Sequence, residues 1–146
     1  MPVNQRERER RRRLVRAHVD AENAHDIDAI MATFAPHAVF QTNGSVSTTP
    51  ETIRQGHVFY GLSHEPGIFS DLTGVHTAEH FSDEEVIYEG HLVGIHTGTA
   101  PGFPPPTGKQ VILPAIVVYR FDRAGLLVSE LARIDLSPFY VGALML

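Results

Sequence analysis

Residues 89–135, EGHLVGIHTGTAPGFPPPTGKQVILPAIVVYRFDRAGLLVSELARID, decide the fold of this chain. Within them, two β-patterned segments, residues 111–121 and 126–135, are joined by turn residues 122–125, which predicts a large antiparallel hairpin. The second arm contains Glu130, the one carboxylate in an otherwise apolar strand interior. We therefore interpret this hairpin as the wall of a ligand pocket.

Helical periodicity precedes most of the strand patterns along the chain. The predicted helices cover residues 5–24, 27–34 and 50–63. The predicted strands cover residues 38–42, 72–81, 85–97, 111–121 and 126–135. This order predicts an α+β fold in which about three N-terminal helices pack on one face of a curved, mostly antiparallel sheet. Residues 137–146 are expected to form a short capping helix or tail.

Composition is typical of one ordinary globular domain. The 146 residues are 42% hydrophobic, which suits a single core and predicts one domain over residues 1–146. No stretch has the length and apolarity of a membrane span, so no membrane association is expected. The chain contains no cysteine, which excludes disulfides and thiolate chemistry and predicts a cytoplasmic protein.

Positive charge is concentrated at the N-terminus, where seven arginines lie within the first 16 residues. The remainder has 5 basic against 15 acidic side chains, about −10, which would repel a phosphate backbone. We therefore expect no nucleic-acid partner and interpret residues 1–13 as a charged, solvated helix extension. Glu7 with Arg11, and Glu9 with Arg13, are spaced for i,i+4 ion pairs on that helix.

Residues 111–121 are apolar at both strand parities, which implies that both faces of this part of the sheet are covered. Helices can cover one face, and a second copy of the chain is expected to cover the other. The sequence therefore predicts a homodimer.

No metal site or cofactor is predicted. The 9 histidines include no H-x-H pair and no H-E-x-x-H motif. His76 and His80 would lie about 13 Å apart along one strand, too far for one ion. The segment from Gly102 to Lys109 has the wrong spacing for a phosphate-binding loop, and its three prolines lack the N–H donors that such a loop needs.

Three motifs connect the chain to a known family. They are Pro50-Glu51-Thr52-Ile53-Arg54 with Phe69-Ser70-Asp71-Leu72, Gly94-x-His96-x-Gly98 through Pro105-Pro106-Thr107-Gly108-Lys109, and Arg120-Phe121-Asp122 with Gly125. With them, the chain resembles the SnoaL-like polyketide cyclases of the nuclear transport factor 2-like superfamily over nearly its whole length. The resemblance implies a cone-shaped α+β fold, a deep apolar pocket, a dimer and intramolecular aldol closure without a cofactor.

The catalytic acid of that family is not preserved. The resemblance places its acid/base carboxylate at Ala132 and a second, structural carboxylate at Asp135. The related ketosteroid isomerases have an Asp base on the first strand, where this chain has Gln41 and Thr42. Glu130 lies two residues before Ala132, so strand alternation predicts that both side chains share one face.

The predicted site combines these observations. Glu130 is the expected acid/base, with its pKa raised by an apolar neighbourhood, and His96 is the second catalytic candidate. The predicted substrate-binding residues are Phe34, Phe59, Tyr60, Tyr88, Leu92, Val117, Tyr119, Ala132 and Ile134. Two functions stay open: a cofactor-free cyclase, isomerase or dehydratase acting on an apolar oxygenated small molecule, and a non-catalytic binding or dimeric assembly module of the same fold.

Overall fold

The predicted hairpin is present and lies inside a six-stranded sheet. In the computed structural model, which describes residues 3–144, the strands are β1 (Phe34–Thr42), β2 (Ser45–Ser47), β3 (Phe69–Phe81), β4 (Glu85–His96), β5 (Gln110–Phe121) and β6 (Leu127–Ile134). The helices are α1 (Gln5–Asn23), α2 (Ile27–Ala32), α3 (Pro50–Tyr60) and α4 (Ser137–Leu144). The last two residues of the predicted C-terminal element lie outside the described residues.

Sheet pairing confirms the α+β class. The strand order is β2-β1-β6-β5-β4-β3, and every neighbouring pair is antiparallel except β1 with β6. The parallel pairing places Phe40 beside Glu130, while the antiparallel pairing of β5 with β6 places Tyr119 on the other side of Glu130. Glu130 is therefore in the interior of the sheet, away from either edge strand.

Local sequence signals explain where the helices begin and end. Asn4 accepts a bond from Glu7 N at 2.9 Å, and Asp26 accepts one from Ala29 N at 3.0 Å, so each caps a helix start. Thr49 and Thr52 form a reciprocal capping box at the start of α3. Gly61 ends α3 in the left-handed region, at φ 97°, which favours glycine.

The first strand begins earlier than predicted, and α2 ends earlier. Thr33 O accepts from Leu127 N at 2.9 Å, which draws the chain into the sheet and makes Phe34 the first strand residue instead of the last helical one. Pro36 falls where the β1–β6 register shifts, between Phe34 and Val39. A proline is tolerated there because no ladder donor is required.

The core lies between the inner face of the sheet and α1 to α3. Its most deeply buried apolar side chains include Val15, Ile30, Leu72, Leu113 and Leu127, each fully buried. Burial of this kind contributes roughly 1.5–3 kcal/mol per large apolar side chain. No helix among the described residues is long and apolar enough to cross a membrane.

The arginine-rich start of α1 packs against the sheet instead of being only solvated. Arg8 pairs with Asp83 at 2.8 Å, Arg12 with Glu79 at 3.1 Å, and the Arg11 guanidinium lies 5.1 Å from the centre of the Phe121 ring. These contacts join α1 to β3, to the β3–β4 turn and to β5.

One of the two predicted ion pairs within α1 is formed. Glu7 binds Arg11 at 3.1 Å and also Arg10 at 2.8 Å, and these bonds lower the pKa of Glu7. Glu9 instead accepts a 3.3 Å bond from the side chain of Gln5. The prediction was right about Glu7, and most residues of the segment are exposed, as expected for a solvated extension. Local spacing could not show the additional contacts that its arginines form with the sheet.

We expect Arg11→Ala to lower the free energy of unfolding by about 1–2 kcal/mol, because it removes packing over Phe121 and a 2.9 Å bond to the carbonyl of Asp83. Arg13→Ala is the matched control, since Arg13 is exposed on the same helix and should change stability by less than about 0.5 kcal/mol. Urea unfolding followed by circular dichroism measures both, and equal effects would contradict the packing role.

Candidate functional site

A small cavity lies between the inner face of the sheet and the helices. Its volume is about 50 Å³, enough for a few water molecules. The residues that line it are Glu22, Phe40, Thr42, Tyr60, Leu62, Gly74, His76, Leu92, Ala115, Val117, Tyr119, Glu130, Ala132 and Ile134. Most of these side chains are apolar or aromatic, and Glu22 and Glu130 are the carboxylates among them.

The structure brings seven of the predicted site residues together at this cavity. They are Tyr60, Leu92, Val117, Tyr119, Glu130, Ala132 and Ile134. Strand alternation accounts for those on β5 and β6: alternate side chains of these two strands face the helices, so predicted neighbours on one face meet in one wall.

Three other predicted binding residues lie outside the lining. Phe34 is buried behind the cavity, with its ring 5.3 Å from His18 and 5.6 Å from His57. Phe59 is 36% exposed and packs on Phe103 at 5.7 Å, on the outer side of α3. Tyr88 packs against His76 at 4.5 Å, and burial, with Glu79 nearby, raises the pKa of Tyr88 to about 12.

His96 is separated from Glu130. The cross-strand neighbour of Glu130 is Tyr119, whose own neighbour on β4 is Val86. His96 lies ten residues further along β4, about 33 Å at 3.3 Å per residue. His96 is on the same sheet face as the cavity residues, but it lies much further along the strands than Glu130. The expected His96–Glu130 pair is therefore not formed.

His96 instead belongs to the packing at the far end of β4. Its ring lies 4.5 Å from Phe139 and 6.0 Å from Phe69, and its backbone bonds to Lys109 and Gly108 at 2.9 and 2.8 Å. Burial lowers the pKa of His96, which favours a neutral ring there.

Glu130 has two other histidines as neighbours, and together with a second glutamate they form what we call the polar cluster. The polar cluster consists of His18, Glu22, His57 and Glu130. His18 and Glu22 are four residues apart on one face of α1, His57 is on α3, and Glu130 is on β6. Three elements that are distant in sequence therefore meet at one end of the cavity.

The imidazole rings of the polar cluster are held by their Nδ1 atoms. His57 Nδ1 lies 2.8 Å from the carbonyl oxygen of Ile53, which can only accept, so Nδ1 donates. His18 Nδ1 lies 2.8 Å from Thr33 Oγ1, whose own proton is donated to Ile30 O at 2.6 Å. Thr33 Oγ1 therefore accepts from His18. Both rings direct Nε2 towards the carboxylates.

The inner atoms of the polar cluster are close together without forming good hydrogen bonds. Glu130 Oε2 lies 3.4 Å from Nε2 of His18 and 3.4 Å from Nε2 of His57. Glu22 Oε1 lies 3.5 Å and 3.8 Å from the same two nitrogens. Both Nε2 atoms and Glu130 Oε2 are buried without a hydrogen-bond partner. Such atoms are rare in native structures and point to a function or a ligand.

The protonation of Glu130 differs from the expectation. Burial alone would raise its pKa, but attraction to His18, with further stabilisation from His57, outweighs burial and lowers the pKa to about 2. At His18, burial opposes protonation, but attraction to Glu130 and Glu22 outweighs burial and raises the pKa to about 10. The prediction of a raised Glu130 pKa was wrong, because it considered apolar neighbours and overlooked the two imidazoles.

The structure places side chains without a carboxyl group at the two usual acid positions. Ala132 and Thr42 line the cavity and are neighbours on β6 and β1. Asp135, the position of the second family carboxylate, is exposed, and its bonds to Ser137 lower its pKa. Any carboxylate chemistry in the cavity therefore depends on Glu130 and Glu22.

Sequence reasoning missed His18, Glu22 and His57. Local signals for them exist: His18 and Glu22 have i,i+4 spacing, and His57 lies four residues after the buried Ile53 on the apolar stripe of α3. Each signal shows only that a histidine is buried. Their convergence on Glu130 depends on the crossing of α1 and α3, which spacing within one helix does not show.

Other clefts on the surface are larger, and two of them contain charged residues or histidines in their walls. One, of about 530 Å³, lies over the outer sheet face near Pro114 and Arg133, and the other, of about 490 Å³, lies beside His25 and His64. Both are open to solvent, so their polar groups are hydrated. The small cavity is the better candidate site, because burial strengthens the electrostatic effect of its charged groups.

The sequence and the fold have known counterparts. The SnoaL-like domain model matches residues 15–130, and no curated protein matches the chain. Similar solved structures include AclR from Streptomyces galilaeus, named as a candidate hydroxylase, with 20% identity, a TM-score of 0.74, and coverage of 93% of this chain and 82% of that chain.

Two further structures are named as candidate polyketide cyclases. The Xanthomonas campestris protein has 19% identity, a TM-score of 0.75 and coverage of 94% and 98% of the two chains. The SnoaL-like protein from Jannaschia sp. CCS1 has 18% identity, a TM-score of 0.77 and 92% coverage of each. At these identities the solved structures show the fold alone, whereas the domain match covers most of the chain. The chain therefore belongs to the SnoaL-like domain family, as its motifs indicated.

Proposed function

We propose that this protein is an enzyme of the cyclase or isomerase type, which uses Glu130 as the acid/base on an apolar, oxygenated small molecule. The observation that carries the proposal is the placement of the Glu130 carboxylate, which is 3% exposed, in the wall of a mostly apolar cavity. Family membership supports the reaction class, since two of the similar structures are named as candidate polyketide cyclases.

The surroundings of Glu130 suit proton transfer from carbon. The ionised carboxylate would take a proton from a carbon next to a carbonyl group, and the resulting enolate oxygen would accept a hydrogen bond from Tyr60 or Tyr119. Both tyrosines line the cavity with Glu130. Burial raises the pKa of Tyr119 well above its usual value, so its hydroxyl keeps its proton and can donate it in a hydrogen bond.

The enolate can react in two ways. In a cyclisation, the enolate carbon forms a carbon–carbon bond to a second carbonyl of the same molecule, and the new alkoxide takes the proton back from Glu130. In an isomerisation, Glu130 returns the proton to a different carbon of the conjugated system. Neither outcome consumes a redox cofactor, in keeping with the reaction class of the family.

The small cavity restricts how a substrate is bound. Typical ligand pockets have about 300–1,000 Å³, and this cavity has about 50 Å³. Binding of a ring-sized substrate would therefore require lining side chains to move outward. Leu92, which is partly buried, and His76, which is exposed, are the side chains that can do so. The proposed substrate class is a molecule whose apolar surface compensates for that movement.

The same small volume favours a second candidate function. A SnoaL-like module with a nearly filled cavity could act as a binding or dimeric assembly module without catalysis, and Ala132 and Thr42 occupy the two usual acid positions. The absence of turnover with any carbonyl substrate, combined with a stable complex, would favour this alternative.

We expect Glu130→Gln to lower kcat by roughly 100-fold or more while KM changes little, because the amide keeps the shape of the side chain and removes the base. Glu89→Gln is the matched control, since Glu89 lies on the outer-face cleft and should leave kcat unchanged. Steady-state kinetics on a panel of small 1,3-dicarbonyl and cyclic enone compounds measures both. Equal kcat values for Glu130→Gln and the unchanged protein would contradict the proposal.

We also propose a homodimer through the outer face of the sheet. Ile112 is 53% exposed, Ile116 is 45% exposed and Val75 is 43% exposed, and all three lie on strands β3 and β5. The two strands flank β4, and exposed β-branched side chains grouped on one face of a sheet are typical of an interface.

Light scattering at micromolar concentration should give twice the 16.1 kDa chain mass. Ile116→Lys should shift the protein towards the monomer, because it replaces one of these exposed apolar side chains with a charge. Val46→Lys is the control: Val46 is 56% exposed but lies on the short edge strand β2. A 16.1 kDa monomer for the unchanged protein would contradict the dimer.

A further inference from the structure

The inner atoms of the polar cluster are arranged as a set of ligands. Three of them, the Nε2 atoms of His18 and His57 and Oε2 of Glu130, are fully buried and lack a hydrogen-bond partner. A fourth, Glu22 Oε1, faces the same point from the cavity wall. All four donor atoms lie within 4.8 Å of one another.

The histidine tautomers suit a cation. Because Ile53 O and Thr33 Oγ1 accept from the Nδ1 atoms, a bound cation would displace any proton on Nε2 and leave neutral rings whose lone pairs face the carboxylates. Histidines that bind metals are held in this way, with the second nitrogen donating to a protein acceptor. A ring protonated on Nε2 would instead be expected to form a short bond to a carboxylate.

The nitrogen–oxygen distances in the polar cluster distinguish metal coordination from hydrogen bonding between a protonated histidine and a carboxylate. Charge-assisted bonds between an imidazolium and a carboxylate are about 2.7–2.9 Å long. The four nitrogen–oxygen separations in the polar cluster are 3.4, 3.4, 3.5 and 3.8 Å. A tetrahedron with nitrogen and oxygen ligands about 2.1 Å from a central ion has edges of about 3.4 Å. The four nitrogen–oxygen separations, which are four of the six edges of such a tetrahedron, therefore match coordination better than they match hydrogen bonds.

Charge balance supports the same arrangement. Two carboxylates in a buried cluster need two positive charges nearby, since an isolated buried charge is costly. One divalent ion supplies both charges and leaves the imidazoles neutral. Two nitrogen and two oxygen ligands suit zinc and neighbouring transition metals better than calcium or magnesium, which prefer oxygen alone.

We propose that the polar cluster binds one divalent transition-metal ion, of which Zn²⁺ is the first to test. This proposal departs from the expectation of no metal, which rested on motif spacing and on the separation of His76 and His80. The inference rests on the geometry of the polar cluster and holds for a binding protein as well as for an enzyme. With the ion bound, Glu130 is a ligand, and the proton transfer proposed above belongs to the metal-free protein.

The ion would also border the cavity. Glu22 and Glu130 both line it, so a small molecule in the cavity would lie next to the coordination sphere. The Glu22 side chain is 15% exposed, the most exposed of the four, and is therefore the ligand that a substrate oxygen could replace most easily. Such a position would allow the ion to polarise a carbonyl group.

The test uses the full chain, purified without a histidine tag and stripped with a chelator. Titration with ZnCl2 by calorimetry should show one ion per chain, and the melting temperature should rise on binding. CoCl2 should give the strong visible absorption bands of tetrahedral cobalt, which report the coordination geometry without any enzyme assay.

Variants locate the ion. Glu22→Gln and His57→Gln should each weaken zinc binding at least about 100-fold, since each removes a ligand and loss of a supporting contact alone costs 10–100-fold. His80→Gln is the matched control: His80 is an exposed histidine that contacts Glu89, so zinc bound adventitiously at the surface would be lost there instead. Circular dichroism confirms folding, and Glu22→Gln, at the cavity wall, keeps the test valid if His57→Gln unfolds.

The absence of zinc and cobalt binding by the unchanged protein would overturn the proposal, as would binding that survives Glu22→Gln or disappears in His80→Gln. These results are distinct from those that test the proposed function. If Glu130→Gln loses turnover while the unchanged protein binds no metal, acid/base catalysis stands and the metal site does not. One tightly bound ion without any turnover gives the reverse conclusion.

Discussion

The burial of Glu130 is the constraint on which the rest of the site depends. A carboxylate that is 3% exposed is stable only if positive charge or hydrogen-bond donors lie close to it. Within the sheet its cross-strand neighbours are Phe40 and Tyr119, neither of which supplies charge. The compensation must come from the helices, and this explains why both α1 and α3 place a fully buried histidine on the face that packs on the sheet.

Aromatic side chains hold these histidines in place. Phe40 stacks on the His57 ring at 4.4 Å, and Phe34 lies edge-on to the rings of both His18 and His57. The rings cannot turn away without opening this packing, so the Nε2 atoms stay directed at the carboxylates. Removal of one partner from a buried charged group of this kind costs roughly 3–5 kcal/mol, which makes the polar cluster a structural unit as well as a candidate site.

Much of the fold could be predicted from the sequence because its signals are local. Caps at Asp26 and Thr49 and the turn after Phe121 fix the ends of elements through contacts within a few residues. The family motifs predicted the cone-shaped α+β fold and its mostly antiparallel sheet. The parallel pairing of Phe40 with Glu130 has no local signal, since the two residues are 90 positions apart and alternation fixes the face but not the partner.

The sequence predicted the residues of the candidate site only where the sheet face of a side chain is enough to place it at the cavity. Tyr119, Glu130 and Ala132 line one cavity because they share one face of a single hairpin, which alternation could predict. His96 was placed with them on the same argument, but β4 is long, and a shared face does not bring its distant end to the level of Glu130. The position of a residue along a strand relative to its neighbours, and the crossing of the helices, depend on tertiary structure. They determine which histidines contact the carboxylate.

A carboxylate at position 130 has other surroundings than one at position 132, where the resemblance to the family places the acid/base. At position 132 the cross-strand neighbours are Val117 and Thr42, an apolar and a hydroxyl side chain. A carboxylate there would have burial as its main influence, and burial raises a carboxyl pKa towards the range useful for general acid catalysis. At position 130 the histidines of α1 and α3 keep the carboxylate ionised. At position 130 the carboxyl group is therefore an ionised base instead of a protonated acid. An ionised carboxylate beside two imidazoles and a second carboxylate is also suited to holding positive charge, whether that charge is a shared proton or a metal ion.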